Sequence, residues 1–226
     1  HISKTKEKLR MSEITKLKEL FWAQKESNPE DLNLKTYRAL SWLTRANEFI
    51  ETDIDAAFIF GWIAFNAAYA RDLEDHLHAR EEFEDFFTSL DNLDAPRRIQ
   101  STIWNYQGET VKSLLRNKYL CRRFWRFHNG NGTYRDWDRY FRQEWEKAYE
   151  AASKKNVPVL LSIIFDRLYV LRNQLVHGGA TWNGSVNREQ VELGARLLTS
   201  LVPEFVNTMI RNPDADWGNP HYPVVK

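Results

Sequence analysis

Apolar residues recur at intervals of three and four along nearly the whole of this 226-residue chain. This spacing places them on one face of an α-helix, whereas a half-buried strand would alternate with a period of two. Runs of period-two alternation rich in Val, Ile and Thr are absent, and the chain holds only nine glycines and seven prolines. The pattern therefore predicts an all-α protein.

The composition is that of a globular protein, because apolar residues make up 42% of the chain and charged residues 28%. The longest apolar stretch, residues 56–70, is shorter than the ~20 residues that span a bilayer. The charged N-terminal region lacks the apolar centre of a signal peptide. The single cysteine, Cys121, excludes an internal disulfide framework and favours a reducing compartment. We therefore expect a cytoplasmic protein with no membrane partner.

The chain shows no sequence pattern for a metal or a cofactor. His76 and His78 are two residues apart, on roughly opposite sides of a helix, and the nearby acidic residues do not complete a metal-binding spacing. A Gly-rich phosphate loop, a nucleophile elbow and a carboxylate cluster for two-metal hydrolysis are also absent. We therefore expect neither a metal nor a cofactor.

The helical pattern divides the chain into a core domain and flanking parts. Four core-forming helices are expected, at residues 34–51, 54–73, 157–177 and 187–211. Within this domain, residues 34–211, the less regular segment 74–155 is expected to be a helical insertion. Residues 1–33 are expected to form an N-terminal helical extension, in which residues 1–10 precede a plausible initiator, Met11, and are an expression remnant or an upstream extension.

Residue types that begin and end helices mark several boundaries. Asp53 can cap the helix that follows it, and Asn187, with Gln190 three positions later, opens the last helix. Pro203 is expected to kink that helix. Residues 212–226 hold three prolines and are expected to form an extended tail.

Polar side chains appear abruptly at the end of the helix 157–177, whose earlier turns are almost entirely apolar. Arg172, Asn173 and His177 occur there, directly before two glycines of the kind that end helices. Asn173 and His177 are four apart and share a face, so that Asn173 can fix the ring of His177. Arg172 and His177 are five apart, about 140° around an ideal helix. Arg172 must therefore curl toward the helix end to reach His177, or the two must meet across a symmetric dimer.

This placement suits proton transfer near a phosphate. The partial negative charge at a helix C-terminus stabilises an imidazolium, and a histidine that is either acid or base near neutral pH suits general catalysis. The guanidinium of Arg172 suits a phosphate or a developing phosphorane. The alternative is that Arg172 and His177 form a solvated helix end with cations that complement the helix dipole.

The spacing by itself is weakly specific, because Arg71 to His76 and Arg123 to His128 have the same separation. The copy that ends at His177 differs in its context, which is a long apolar helix before it and a Gly-Gly stop after it. In this context the chain resembles HEPN domains, a helical family in which many members are metal-independent ribonucleases. Their signature is Arg, a polar residue that is often Asn, three further residues and His, near the end of a core helix. Residues 172–177 match it without gaps, and the likeness covers a little under half of the chain.

The resemblance implies a HEPN-like helical bundle with Arg172 and His177 as catalytic residues and Asn173 in support. It also implies active sites formed where two copies of the helix 157–177 meet in a homodimer. Family members often act as toxins or in defence against phage, which implies an antitoxin or another regulatory protein as a partner. Gly179 stands where the well-known toxin branch has Tyr, so the subfamily and its modification-based control stay open.

Apolar side chains all round the helix 157–177 point to the same dimer. A single bundle face does not need so much apolar surface, and the excess is typical of an interface. The side chains concerned are Val159, Leu160, Ile163, Ile164 and Leu168.

Charge is segregated along a chain whose formal net charge is only +1. Residues 72–94 hold nine acidic residues and one basic residue, whereas residues 112–142 hold nine basic and two acidic ones. In the basic segment, cations alternate with aromatic rings, a pattern that suits phosphates and unpaired bases of RNA. The candidate RNA-binding residues are Arg116, Lys118, Arg122, Arg123 and Arg126. The alternative is that Leu120, Phe124 and Phe127 are core residues and that the arginines are solvated or pair with the acidic segment.

Taken together, these features predict a metal-independent endoribonuclease of HEPN type that cleaves single-stranded or loop RNA. The alternative is a non-catalytic HEPN-like helical module that binds RNA or a protein partner through the same groove.

Overall fold

The structure is a computed structural model that describes residues 2–70, 79–106 and 109–224, without the side chains of residues 2–11, 79–82 and 109–110. Its regular elements in these ranges are helical, as the apolar spacing predicts. In chain order the α-helices are α1 (Ile2–Gln24), α2 (Glu30–Phe49), α3 (Ile54–Tyr69), α4 (Ala79–Leu93), α5 (Arg98–Asn105), α6 (Glu109–Arg116), α7 (Arg122–His128), α8 (Trp137–Ser153), α9 (Val157–Val176) and α10 (Arg188–Arg211). Within the described ranges, no helix has the length and hydropathy needed to cross a bilayer.

α3 and α10 begin at the residues that the sequence predicts, but only α3 has a side-chain cap. The side chain of Asp53 accepts a hydrogen bond from the backbone N–H of Ala56 at 3.1 Å and so caps α3. Asn187 precedes α10 with φ +56° and makes no capping bond with its side chain. It still occupies the N-cap position, but its side chain bonds to Gln174 instead of to the first turn of α10. α10 then runs through Pro203 as a single helix.

Two glycines allow α3 to lie close to α10. A Cβ added at Gly194 would come within 2.6 Å of the ring of Phe58, and one at Gly61 would lie 3.0 Å from Leu198. α3 thus packs against α2 on one side and α10 on another. Its side chains Phe58, Trp62 and Phe65 are buried, in keeping with a helix that is apolar nearly all round.

Phe65 of α3 lies at the centre of an aromatic core to which four helices contribute. Its ring centroid is 4.4 Å from that of Phe165 on α9, 5.6 Å from Phe83 on α4 and 6.3 Å from Phe205 on α10. Phe87, also on α4, lies 4.9 Å from Phe165. The segment that the sequence pattern set apart as an insertion therefore supplies part of the central core.

The residues that follow α10 cross the outside of α2. Trp217 is buried, and its backbone carbonyl accepts a hydrogen bond from the Nζ of Lys35 at 2.7 Å. Lys35 is only 1% exposed and also donates to the carbonyl of Ala70 at 3.1 Å. One turn further along α2, the guanidinium of Arg38 donates to the carbonyl of Tyr222 at 2.7 Å. These bonds hold the tail beside the end of α3.

Candidate functional site

The last turn of α9 ends in a Schellman motif built on the two glycines. His177 is the C-cap residue, and Gly178 takes the left-handed conformation with φ +72°. The N–H of Gly178 donates to the carbonyl of Leu175 at 3.3 Å, and the N–H of Gly179 donates to that of Gln174 at 2.7 Å. The Gly-Gly stop expected from the sequence thus places the ring of His177 on the surface.

Arg172, one turn before the helix end, lines a cavity of about 590 Å³ between α2, α3, α9 and the C-terminal tail. Its side chain is half-buried, and a second guanidinium, that of Arg38, belongs to the same wall. Aromatic rings from all four elements complete the lining, and they belong to Trp42, Trp62, Tyr69, Tyr169 and Tyr222. The cavity therefore combines flat apolar surfaces with positive charge.

Asn173 supports Arg172 rather than His177. The Nη1 of Arg172 donates to the side-chain oxygen of Asn173 at 2.9 Å. A charged guanidinium is a strong hydrogen-bond donor, and it takes the amide oxygen of Asn173. The prediction that Asn173 fixes the ring of His177 is wrong for this single chain.

His177 stands apart from the cavity. The described lining of the cavity does not include it, and among the described residues its ring has no hydrogen-bond or ion-pair partner. Arg172 does not curl toward the helix end to reach it, because its guanidinium bonds to Asn173. Of the two arrangements considered from the spacing, the one that remains open for Arg172 and His177 is a meeting across a dimer.

The other two copies of the same spacing differ from this one. Arg71 and His76 lie outside the described residues. Arg123 and His128 lie on the short helix α7, where Arg123 is 3.8 Å from the ring centroid of Tyr140. The ring of His128 packs against Phe124, at a centroid separation of 4.2 Å.

The basic segment contacts the last turns of α9, so the structure brings the two predicted features together. The backbone carbonyl of Tyr119 accepts hydrogen bonds from the side chains of Gln174 and Trp125, each at 2.7 Å. Arg122, the first residue of α7, forms an ion pair of 3.2 Å with Asp166 and lies 4.8 Å from the ring centroid of Tyr169. Tyr169 is therefore shared between the cavity wall and the basic segment.

Each of the five candidate RNA-binding cations is stacked on an aromatic ring. Arg122 and Arg123 are described above, and the other pairs are Arg116 on Trp145, Lys118 on Tyr119 and Arg126 on Tyr134. The distances from the cationic group to the ring centroid are 4.8, 5.3 and 5.1 Å, respectively.

The alternative in which the basic segment supplies core side chains and pairs its arginines within the chain holds in part. The acidic partners that the structure describes for these five cations are Asp166 and Asp136, and neither belongs to the acidic segment 72–94. The side chains of Leu120 and Phe124 are buried, so these two are core residues as the alternative expected.

A network of amides that the sequence pattern did not reveal holds the loop after His177. The amide of Asn187 donates to the side-chain oxygen of Gln174 at 2.9 Å and accepts from Asn117 at 3.1 Å. These hydrogen bonds join the start of α10, the end of α9 and the basic segment. The only local signal in the sequence was Asn187 with Gln190 three positions later, and it did not indicate the partners of the Asn187 side chain.

A second set of contacts holds the same loop to the start of α3. The buried carboxylate of Asp55 accepts from the backbone N–H of Asn183 at 2.9 Å and from the guanidinium of Arg188 at 2.8 Å. The indole N–H of Trp182 donates to Asp53 at 3.1 Å. Asp55 carries no sequence motif, so only the tertiary structure assigns it this positioning role.

Comparisons with protein-family models, curated proteins and solved structures give no match for the chain. The resemblance to HEPN domains therefore rests on the Arg-Asn-x3-His motif and its surroundings. Among the described residues, no three His, Cys, Asp or Glu side chains form a metal-binding group, and His76 and His78 lie outside those residues.

Proposed function

We propose that this protein is a metal-independent endoribonuclease of HEPN type that cleaves single-stranded or loop RNA. The observation that carries the proposal is the geometry at the end of α9. Arg172, bonded to Asn173, lines an aromatic cavity, His177 is exposed at the helix cap, and a basic aromatic segment contacts the same turn. By resemblance, the proposal extends to a toxin or phage-defence role in the cytoplasm, with an antitoxin or regulatory protein as partner.

In the proposed reaction the 2′-hydroxyl of an unpaired nucleotide attacks the adjacent phosphorus. His177 of one copy accepts the hydroxyl proton, and His177 of the second copy donates a proton to the leaving 5′-oxygen. Arg172 stabilises the charge that develops on the phosphorane oxygens. The O–P bond that forms closes a 2′,3′-cyclic phosphate, and the bond that breaks releases a 5′-hydroxyl end.

The proposed dimer must use the C-terminal end of α9 rather than its middle. Leu160, Ile163, Ile164 and Leu168 are buried within the chain and Val159 is half-buried against the core, so the expectation that these side chains form an interface is wrong. Exposed apolar side chains instead flank His177 in the sequence, and they belong to Val176, Trp182 and Val186. Contact through this end would bring two copies of His177 and Arg172 close together and would cover apolar surface.

The direct test incubates labelled single-stranded RNA with the purified chain in EDTA and analyses the chemistry of the product ends. We expect cleavage with 2′,3′-cyclic phosphate and 5′-hydroxyl ends. His177→Ala should lower the rate by about 10²–10⁴-fold, the contribution typical of a general acid or base. Arg172→Ala should lower it by about 10²–10³-fold, the cost typical of a lost electrostatic donor.

His128→Ala, prepared in parallel, is the matched control, because it has the same spacing to an arginine without the same context. It should cleave at nearly the wild-type rate, and thermal melts should show all three variants folded. Unchanged cleavage by folded His177→Ala, or loss only in His128→Ala, would overturn the site assignment.

The second candidate function is a non-catalytic module that binds RNA or a protein partner. It is favoured by one observation, which is that Arg172 and His177 share no hydrogen bond within the chain. RNA binding without cleavage at any pH tested, from a preparation free of contaminating nuclease, would support this candidate.

A further inference from the structure

The cavity beside Arg172 has the size and the walls of a ligand site. Its volume of about 590 Å³ lies within the range of roughly 300–1,000 Å³ that is common for small-molecule sites. The buried indole of Trp62 forms part of the inner wall, and the rings of Trp42 and Tyr222 lie where the cavity meets solvent. Flat apolar rings on several sides suit an aromatic ligand.

Charge in the cavity suits an anion. A guanidinium carries five N–H donors, and the described bonds of Arg38 and Arg172 each use one, on the carbonyl of Tyr222 and on Asn173. Among the described residues the other donors of each group have no hydrogen-bond acceptor, so they can serve a ligand. Among the described residues that line the cavity, none is acidic. A phosphate satisfies two guanidinium groups better than a carboxylate does, because it offers more oxygens in a geometry that arginine matches.

The wall also contains the amide side chain of Asn66. An amide presents a donor and an acceptor side by side, which is the arrangement that a nucleobase edge can pair with. Aromatic rings that stack on a base, arginines on its phosphate and an amide near its edge together describe recognition of an unpaired nucleotide.

We infer that this cavity holds one unpaired nucleotide of RNA, with the base between the aromatic rings and a phosphate on Arg172 and Arg38. The inference rests on the proposed function, because Arg172 belongs to both sites. A base removed from a helix can enter the cavity, whereas a base within a duplex cannot. The cavity thus makes the protein selective for single strands or loops.

A free nucleoside monophosphate has the same chemistry, so the experiment includes both sources. His177→Ala, a full chain that is expected not to cleave, is titrated with a fluorescent single-stranded RNA and with nucleoside 5′-monophosphates. Nucleosides and inorganic phosphate serve as the two half-ligands. We expect the monophosphates to compete with the RNA, and each half-ligand to bind at least about tenfold more weakly, because stacking and phosphate contacts both contribute.

Substitutions in the same background locate the binding. Ala67→Phe fills the cavity without changing charge, and Arg38→Gln removes a guanidinium, so each should weaken RNA binding by about tenfold or more. Arg45→Gln is the matched control, because it makes the same charge change on an exposed side chain of α2. It should bind RNA within about twofold of the parent. Tyr222→Ala removes a ring that is 72% exposed, and it replaces Ala67→Phe if that variant does not fold.

RNA binding that responds equally to Arg38→Gln and Arg45→Gln, and not at all to Ala67→Phe or Tyr222→Ala, would overturn the inference. Binding of monophosphates without competition by RNA would overturn the assignment to RNA. Cleavage by the chain that retains His177 is measured separately, so that the two proposals can fail independently. Cleavage together with RNA binding that does not depend on the cavity would support the endoribonuclease and overturn the nucleotide site. Cavity-dependent binding without cleavage by the chain that retains His177 would support the nucleotide site and overturn the endoribonuclease.

Discussion

The Nη1 of Arg172 donates to the side-chain oxygen of Asn173 across 2.9 Å, so the first two residues of the Arg-Asn-x3-His motif act as a pair. His177, one turn further on, is outside this pair and exposed. The pairing assigns Asn173 a positioning role toward the guanidinium, not toward the imidazole.

Asn173→Ala should therefore lower RNA cleavage by about tenfold, less than Arg172→Ala or His177→Ala, because it removes one charged hydrogen bond. The double variant Arg172→Ala/Asn173→Ala should cleave RNA no more slowly than Arg172→Ala alone, since each substitution removes the same interaction. Single-turnover rates of the three variants and the wild type measure this coupling. If folded Asn173→Ala were as inactive as His177→Ala, the positioning role would be wrong.

Lys35 of α2 donates to the carbonyl of Trp217 in the C-terminal tail and to that of Ala70 at the end of α3, and so holds the tail beside both helices. Lys35→Met should lower the free energy of unfolding by about 1.5–3 kcal/mol, the contribution of hydrogen bonds to a buried charged group. It should also speed proteolysis within residues 212–224. Thermal melts and limited proteolysis measure both effects, with Lys154→Met, an exposed lysine, as the control. A tail that stays protected in Lys35→Met would contradict this role.

Asp55 holds the loop after His177 through Asn183 and Arg188. Asp55→Ala should lower the free energy of unfolding by about 1–3 kcal/mol, because it leaves partly buried donors without an acceptor. It should also lower cleavage, since the loop beside His177 is released. Asp53→Asn is the matched comparison, because Asn caps helices as well as Asp does. This variant should lose less free energy of unfolding than Asp55→Ala. Equal stability of Asp55→Ala and wild type in denaturant titrations would show that the contact is unimportant.

The carboxyl of Glu204 should give a pH-dependent effect on stability. Burial raises its pKa, Arg98 lowers it, Glu13 and Asp94 raise it further, and the net shift is upward. The folded chain therefore holds the proton more tightly than the unfolded chain. The resulting stabilisation is full below the pKa of the carboxyl in the unfolded chain and is lost as the pH rises through its pKa in the folded chain.

Glu204→Gln mimics the protonated carboxyl at every pH. It should melt at a higher temperature than the wild type at pH 7, and the difference should shrink as the pH falls toward 4. The opposite control is Glu150→Gln, because the hydrogen bond from Lys154 lowers the pKa of the exposed Glu150. That variant should not be stabilised at pH 7. A gain for Glu204→Gln that is independent of pH would contradict the explanation from burial of charge.

The proposed dimer predicts a concentration-dependent mass that depends on the exposed end of α9. Light scattering at micromolar concentration and moderate salt should show a dimer for the wild type. Trp182→Ala should shift it toward monomer, because that ring is 74% exposed and lies in the loop after His177. Trp22→Ala, which removes a 56% exposed ring from α1, should leave the mass unchanged. A wild-type monomer under these conditions would count directly against the dimer.

Local patterns in the sequence predicted the helices and several of their ends. Apolar spacing indicated an all-α chain, Asp53 indicated the start of α3, and Gly178 indicated the end of α9. These features depend on interactions within a few residues, so a single sequence contains them. The same reasoning picked out Arg172 and His177 as an unusual pair of polar residues on an apolar helix.

Long-range partners were decided only by the tertiary structure. Lys35 meets Trp217 from 182 residues away, and Asp55 meets Arg188 from 133 residues away. α4 contributes Phe83 and Phe87 to the core, although the less regular pattern of residues 74–155 had predicted an insertion. The sequence determined by itself which residues form helices and where a cationic motif ends one of them. Only the packing of those helices decided that Arg172 lies at a cavity and His177 at the surface, because the choice depends on which distant side chains fill the space around α9.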